Sequence, residues 1–247
     1  MKIGLFIPCY IDQFYPPAGI ATLQLLEKLG CEVVFPLNQT CCGQPMANSG
    51  FANWSKACDE NFINNFRGVD YIVSPSGSCT LHIREHLHHD QNPGEAERIR
   101  HTVFELTEFL TDILKIEKLD ARFPFKVGLH NSCHGQRGLH LSSMSEKVEP
   151  PFSKPGKLLA MVEGLQLTLP SREDECCGFG GTFCVFEEAL SVKMGKDRIK
   201  DHARNNIDYL TATDSSCLMH LEGILRRQKS PVKIIHIAEI LNAPGNG

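Results

Sequence analysis

Thr40-Cys41-Cys42-Gly43-Gln44-Pro45 and Glu175-Cys176-Cys177-Gly178-Phe179-Gly180-Gly181-Thr182-Phe183 decide how this chain is read. Each holds a Cys-Cys-Gly turn, and what surrounds one also surrounds the other. Residues 3–8 form an apolar, β-rich run that ends at Cys9; residues 126–132 have the same character and end at Cys133. Residues 31–36 lead into the first turn as residues 165–170 lead into the second. Further on, residues 71–74 run into Ser76-Gly77-Ser78-Cys79, and residues 209–213 run into Asp214-Ser215-Ser216-Cys217. The closing segments 103–110 and 234–241 also align, with Glu108 opposite Glu239.

The sequence is therefore written twice, with a period too long for a solenoid and suited to a duplicated domain. Between Cys9 and Cys41 lie 31 residues and between Cys42 and Cys79 lie 36, against 42 and 39 in the second half. The 11 extra residues of the second half's first interval are assigned to residues 141–157, polar with three prolines and a glycine, read as an inserted surface loop. The expected halves are residues 1–120 and 121–247. Helical patterns fill the gaps: one opening at Pro16-Pro17 and stopping at Gly30, then 46–66, 95–114, 187–205 and 217–227. Strands alternating with helices imply an α/β fold of two pseudo-symmetric, Rossmann-like halves with mostly parallel sheets. Ligands of such sheets lie beyond the carboxyl ends of the strands, which is where all eight repeat-matched cysteines fall.

Composition narrows the function. The 247 residues include 11 cysteines, and 42% are hydrophobic, enough for a core without disulfide staples. The odd count also argues against a disulfide framework. With 25 basic against 29 acidic residues and a net charge of −4, nothing advertises nucleic acid or an anionic membrane. No targeting segment or membrane span is visible, so a cytoplasmic location with reduced thiols is expected. Many reduced cysteines point to metal binding or catalysis.

Each half supplies four candidate ligands from three strand ends: Cys9, Cys41, Cys42 and Cys79 in the first, Cys133, Cys176, Cys177 and Cys217 in the second. Four thiolates suit an iron–sulfur cluster or tetrahedral zinc. Adjacent cysteines point apart, which favours a cluster spanning several ångströms over one small ion. Glycine after each pair permits the backbone of such a turn, and Gly178, Gly180 and Gly181 would let main-chain N–H groups approach sulfide. The rival readings are buried cysteines acting as small hydrophobes and a vicinal disulfide.

The spacing Cys-x31-Cys-Cys-x36-Cys, then Cys-x42-Cys-Cys-x39-Cys, with a glycine directly after each adjacent pair, resembles the cysteine-rich (CCG) domain family over nearly the whole chain. The resemblance is carried by the two turns together with Pro75-Ser76-Gly77-Ser78-Cys79, His130-Asn131-Ser132-Cys133-His134-Gly135 and Asp214-Ser215-Ser216-Cys217-Leu218-Met219-His220. That family includes one of the subunits of heterodisulfide reductase and, more similar to this chain, the lactate utilisation protein A family. The resemblance implies an iron–sulfur electron-transfer subunit of a complex oxidising L-lactate to pyruvate, with a ferredoxin-type iron–sulfur protein and a third subunit as partners. It implies no catalytic residue in this chain, and two [4Fe–4S] clusters. The heterodisulfide reductase type has Cys-x-x-Cys as its third element; here Ser76 and Asp214 stand at the first position, which argues against five-ligand noncubane clusters. A zinc-stabilised scaffold and a thiol–disulfide redox subunit are the alternatives, and metal analysis separates them because zinc has no redox chemistry.

Cys31 and Cys58 read as packing residues, and Cys184 as packing or an additional ligand. His82 and His86, four apart, read as a solvated helix surface. His130 and His134 flank Cys133 and are read either as donors to sulfur or as packing. No P-loop, G-x-G-x-x-G fingerprint or Ser–His–Asp order occurs.

Overall fold

Short apolar runs that alternate with amphipathic helices have one economical solution, a parallel sheet buried on both faces. The computed structural model shows that solution twice. It describes residues 1–245; Asn246 and Gly247, the end of the expected second half, lie outside the described residues. The first half runs β1 (Lys2–Leu5), α1 (Cys9–Phe14), α2 (Pro16–Lys28), β2 (Glu32–Val34), α3 (Gln44–Asn48), α4 (Lys56–Phe66), β3 (Tyr71–Ser74), α5 (Gly77–His86), α6 (Pro93–Thr102), β4 (Val103–Glu105) and α7 (Leu106–Glu108). The second runs β5 (Lys126–His130), α8 (Lys154–Leu159), β6 (Gln166–Thr168), α9 (Phe183–Phe186), α10 (Glu188–Ala203), β7 (Tyr209–Ala212), α11 (Ser215–Arg227), β8 (Lys233–His236) and α12 (Ile237–Leu241). All pairings within the two sheets are parallel, in the orders β2-β1-β3-β4 and β6-β5-β7-β8. Register repeats as well: Gly4 faces Ile72 as Gly128 faces Leu210.

The chain leaves β1 towards β2 on one side and returns to β3 on the other, so β1 and β3 flank a topological switch point, as β5 and β7 do. The α/β architecture with two pseudo-repeated, Rossmann-like halves is therefore as expected. The fourth strand of each sheet is new. Residues 95–114 are not one helix: α6 stops at Thr102, and the β-prone Val103-Phe104 pair joins β3 as β4. Residues 46–66 divide likewise. The N–H groups of Ser49 and Gly50 turn back onto the carbonyls of Pro45 and Ala47, and a 3₁₀ turn, Ala52–Ser55, precedes α4. Of the presumed loop 141–157, residues 145–148 are exposed, an antiparallel bridge joins Ser142 to Ser153, and the last residues wind into α8. Among the described residues, no helix is long and apolar enough to cross a membrane.

The halves do not merely abut. One buried cluster runs through both, from Ile3, Leu5 and Leu25 to Val127, Leu129, Leu158 and Ile240. Helix α2 packs on α12 and α8 on α7, contacts exchanged by the pseudo-twofold relation. The halves also bond directly: the Gly77 N–H reaches the Thr213 carbonyl at 3.2 Å, and Asp214 Oδ2 accepts the Ser78 N–H at 2.7 Å.

The ends of the fourth strands show how matched positions diverge. Glu105 caps α7 by accepting from the N–H groups of Thr107 (2.7 Å) and Glu108 (3.3 Å); His236 caps α12 through Nδ1, which accepts from Ala238. The aligned pair Glu108 and Glu239 differs in role, the first bound to Arg84 at 2.6 Å and the second closing a capping box with the His236 N–H. Full burial pushes the Glu105 carboxyl up to about 8. An unfolded glutamate releases its proton near about 4.3, so between those values the unfolded chain binds fewer protons and stability falls as pH rises. The slope reaches about 1.4 kcal/mol per pH unit in that window. E105Q keeps an oxygen for the cap and has no proton to lose. Denaturant unfolding across this pH range is expected to show the wild type losing stability relative to E105Q; parallel curves would contradict the burial argument.

Candidate metal centres

Three loops meet at each switch point. Cys9 opens α1 directly behind β1, Cys41 and Cys42 lie in the loop after β2, and Cys79 sits in the first turn of α5 after β3. The Cys9 thiol donates to Cys41 Sγ at 3.9 Å, and the Cys42 thiol to Cys79 Sγ at 3.3 Å. In the second half Cys133 follows β5, Cys176 and Cys177 follow β6, and Cys217 lies in the first turn of α11. Hydrogen bonds link them in the chain Cys133–Cys176–Cys177–Cys217. All eight line one cavity of about 590 Å³ between the halves. Sequence reasoning placed the two sets in their own halves; the structure opens them into a common chamber, walled also by Tyr10, Phe179 and His134.

The glycine of each turn is required by geometry. Gly43 and Gly178 have φ of +91° and +93°, in the left-handed region. A Cβ on Gly43 would lie 2.8 Å from Ser55 Cβ, and one on Gly178 would lie 2.6 Å from the Ser191 carbonyl oxygen. This turn aims main-chain donors at sulfur: Gly43 N–H to Cys41 at 3.4 Å, Gly178 N–H to Cys176 at 3.3 Å, and Phe179 N–H to Cys177 at 3.4 Å.

Those bonds, with the thiols around them, divide the charge. Cys41, hydrogen-bonded by Cys42 and then Cys9, is pulled down to about 2, and Cys176, hydrogen-bonded by Cys133 and then Cys177, likewise. Cys9 and Cys133 are pushed up by hydrogen bonding to these thiolates and by burial, as are Cys42 and Cys177. Cys217 is raised by burial despite a lowering hydrogen bond with Cys177. Each set thus presents a ready thiolate among thiols that yield their protons when a metal enters.

Ser76 and Asp214, where the heterodisulfide type has a further cysteine, serve as helix caps. Ser76 Oγ accepts the Cys79 N–H at 3.4 Å; Asp214 Oδ1 accepts from the Ser216 N–H at 3.2 Å and the Ser216 hydroxyl at 2.7 Å. Both are buried. Of the unmatched cysteines, Cys31 packs on the shared core, Cys58 is half-buried on α4, and the Cys184 thiol donates to the carbonyl of Gly181, a cavity-lining residue, at 3.0 Å, without itself lining the cavity.

His82 departs from expectation. It is buried, behind the Cys41-Cys42-Gly43 turn, whereas His86 is exposed. Burial lowers His82 to about 4. His220 holds the matched place in the second half, its Nε2 3.3 Å from the Ser191 carbonyl. The signal was in the sequence, since Cys79-Thr80-Leu81-His82 and Cys217-Leu218-Met219-His220 are the same Cys-x-x-His. His134 lines the cavity, and His130 is fully buried at the carboxyl end of β5.

Two like halves, each bringing four thiols from three strand-end loops into one chamber, define a duplicated α/β cysteine-pocket protein suited to a metal or an iron–sulfur group. The donor set fits such a group: all-sulfur, with adjacent thiols and N–H donors to sulfur. The chain belongs to the CCG cysteine-rich domain family, whose model, "Cysteine-rich domain", matches residues 3–84 and 127–222. It is 42% identical to lactate utilization protein A from a Geobacillus species and 39% identical to that of Bacillus subtilis, each match covering 98% of this chain and 100% of the relative. Among solved structures, a hypothetical protein from Helicobacter pylori superposes with a TM-score of 0.61 at 13% identity, over 96% of this chain and 47% of that one, and shares the fold.

Proposed function

We propose that the chain is the iron–sulfur electron-transfer subunit of a complex that oxidises L-lactate to pyruvate. Cys9, Cys41, Cys42 and Cys79 would hold one cluster and Cys133, Cys176, Cys177 and Cys217 the other, each of the [4Fe–4S] type. The observation that carries this is the pair of repeat-matched four-cysteine sets opening into one cavity. Bound clusters would supply one-electron redox chemistry; the chain's own residues fix their spacing, supply thiolates and donate N–H bonds to sulfur. The lactate role rests on the relatives' names, and a ferredoxin-type protein and a third subunit are the proposed partners. The domain division proposed is residues 1–120 and 121–247, one centre in each.

Anaerobic reconstitution followed by iron, acid-labile sulfide and zinc analysis tests the cofactor. Iron and sulfide in equal amounts, with an absorption band that bleaches on reduction, is the expected result. Stoichiometric zinc without sulfide would overturn it in favour of the scaffold reading. Lactate-dependent growth of cells carrying a cysteine variant tests the substrate separately.

A further inference from the structure

The two halves match in backbone and cysteines but not in what stands behind the cysteines. Phe6 lies three residues before Cys9, and His130 lies three before Cys133. A Cβ on Gly4 would strike the Phe66 ring, and one on Gly128 would strike His202 Nδ1, which fixes the register of α4 against α10. In that register Phe62 corresponds to Arg198. The first half thus backs its centre with three phenylalanines, Phe6 lying 4.9 Å from Phe62 and 5.9 Å from Phe66 between ring centroids. The second half has His130, Arg198 and His202 in their places.

Arg198 is fully buried, and its guanidinium is held by the carbonyls of Arg172 and Glu173, with Asp201 3.9 Å away. Its Nε–H donates to His130 Nδ1 at 3.1 Å. An arginine Nε is always a donor, so Nδ1 must accept, and the proton of the neutral ring sits on Nε2. That Nε2 is buried without a partner. A ring nitrogen of His130 and the sulfurs of Cys177 and Cys217 all lie within 4.8 Å of one another. With its proton on Nε2, His130 offers that nitrogen as a hydrogen-bond donor, not as a metal ligand. Phe6 offers nothing of the kind.

Resting on the reading of two iron–sulfur centres, we propose that His130 donates its Nε2–H to sulfur at the second centre and sets that centre at the higher reduction potential, so that electrons entering at the first centre settle on the second. Arg198 is the positioning residue, since it selects the tautomer. Donors to sulfur and nearby positive charge stabilise the more negative, reduced form. The Phe179 N–H adds a donor to Cys177. Asp214, near Cys217, acts in the opposite sense, but its carboxylate already accepts from Ser78 and Ser216. His82 and His220 occupy matched places and do not distinguish the centres. In the transfer itself one electron leaves the first centre and one enters the second, with no bond made or broken.

The test is a potentiometric titration of the anaerobically reconstituted protein, followed by electron paramagnetic resonance after iron content is verified. The wild type is expected to show two midpoints, the upper one surviving in C41S and the lower one in C176S. H130F, which copies the first half, is expected to lower the upper midpoint alone, and H130Q, which keeps an N–H, to restore most of the difference. A single wild-type midpoint, the opposite assignment, or unchanged midpoints in H130F would overturn the proposal. If H130F fails to load, pulsed resonance on wild type with ¹⁵N-histidine decides: weak nitrogen coupling at the upper-potential centre supports the donor role, while no coupling or the strong coupling of a direct ligand overturns it. A preparation holding zinc and no iron would defeat the electron-transfer reading itself, a distinguishable result.

Discussion

Replacing Cys176 by serine is expected to remove about half of the iron and sulfide that the reconstituted wild type binds and to leave the first centre spectroscopically intact. Cys176 is the thiolate of its set, hydrogen-bonded by Cys133 and Cys177 and by the Gly178 N–H. A serine hydroxyl stays protonated, accepts those bonds at a shorter reach and is a poor match for iron. Cys41→Ser should produce the mirror loss. The half-loss matters because the sets share a cavity. If the eight sulfurs held one larger assembly, either variant would abolish binding altogether, and that result would overturn the assignment of four cysteines to each centre. Lactate-dependent growth should fail in both variants, because a relay with one station removed passes no current.

Gly178→Ala should be the most damaging change of a residue that offers no ligand. A φ of +93° costs a residue with a Cβ about 1–3 kcal/mol. The added methyl would then meet the Ser191 carbonyl oxygen at 2.6 Å and Met194 Cβ at 2.8 Å, and the backbone of α10 cannot swing aside as a side chain could. Relief has to come from the Cys176-Cys177 turn, which carries two proposed ligands and two N–H donors to sulfur. The expected outcome is a loss of about 2–4 kcal/mol in unfolding free energy together with loss of the second centre. Gly43→Ala, which meets the Ser55 side chain, should cost less. A Gly178→Ala protein with wild-type stability and full iron content would show that the turn is not the constraint described.

How far the residues spoke for themselves varied along the chain. The repeat was legible because cysteines are sparse enough for their spacing to carry information, and strands such as Tyr71–Ser74 stood out as apolar runs between turn residues. What failed was local pattern where tertiary pairing decides. Val103-Phe104-Glu105 continues the apolar spacing of α6, and only its contact with β3 makes it a strand. Residues 154–157 look like loop because Pro155 and Gly156 look like loop, yet proline in a first helical turn is stable, and Leu158 and Leu159 anchor α8 in the core. His82 was misplaced because a histidine pair four apart says nothing of which face is covered; the other half's His220 would have shown it. The common chamber was beyond reach, since no one-dimensional pattern tells how two sheets turn towards each other.

The apolar cluster through which Ile3, Val127 and Ile240 run together has a consequence of its own. Many redox chains carry electrons by swinging one module to the next, so their speed depends on a hinge. Here there is no seam to swing about: parting the halves would expose the same side chains that keep each of them folded. If two centres occupy the chamber as proposed, the distance between them is held by this shared core and not by a hinge.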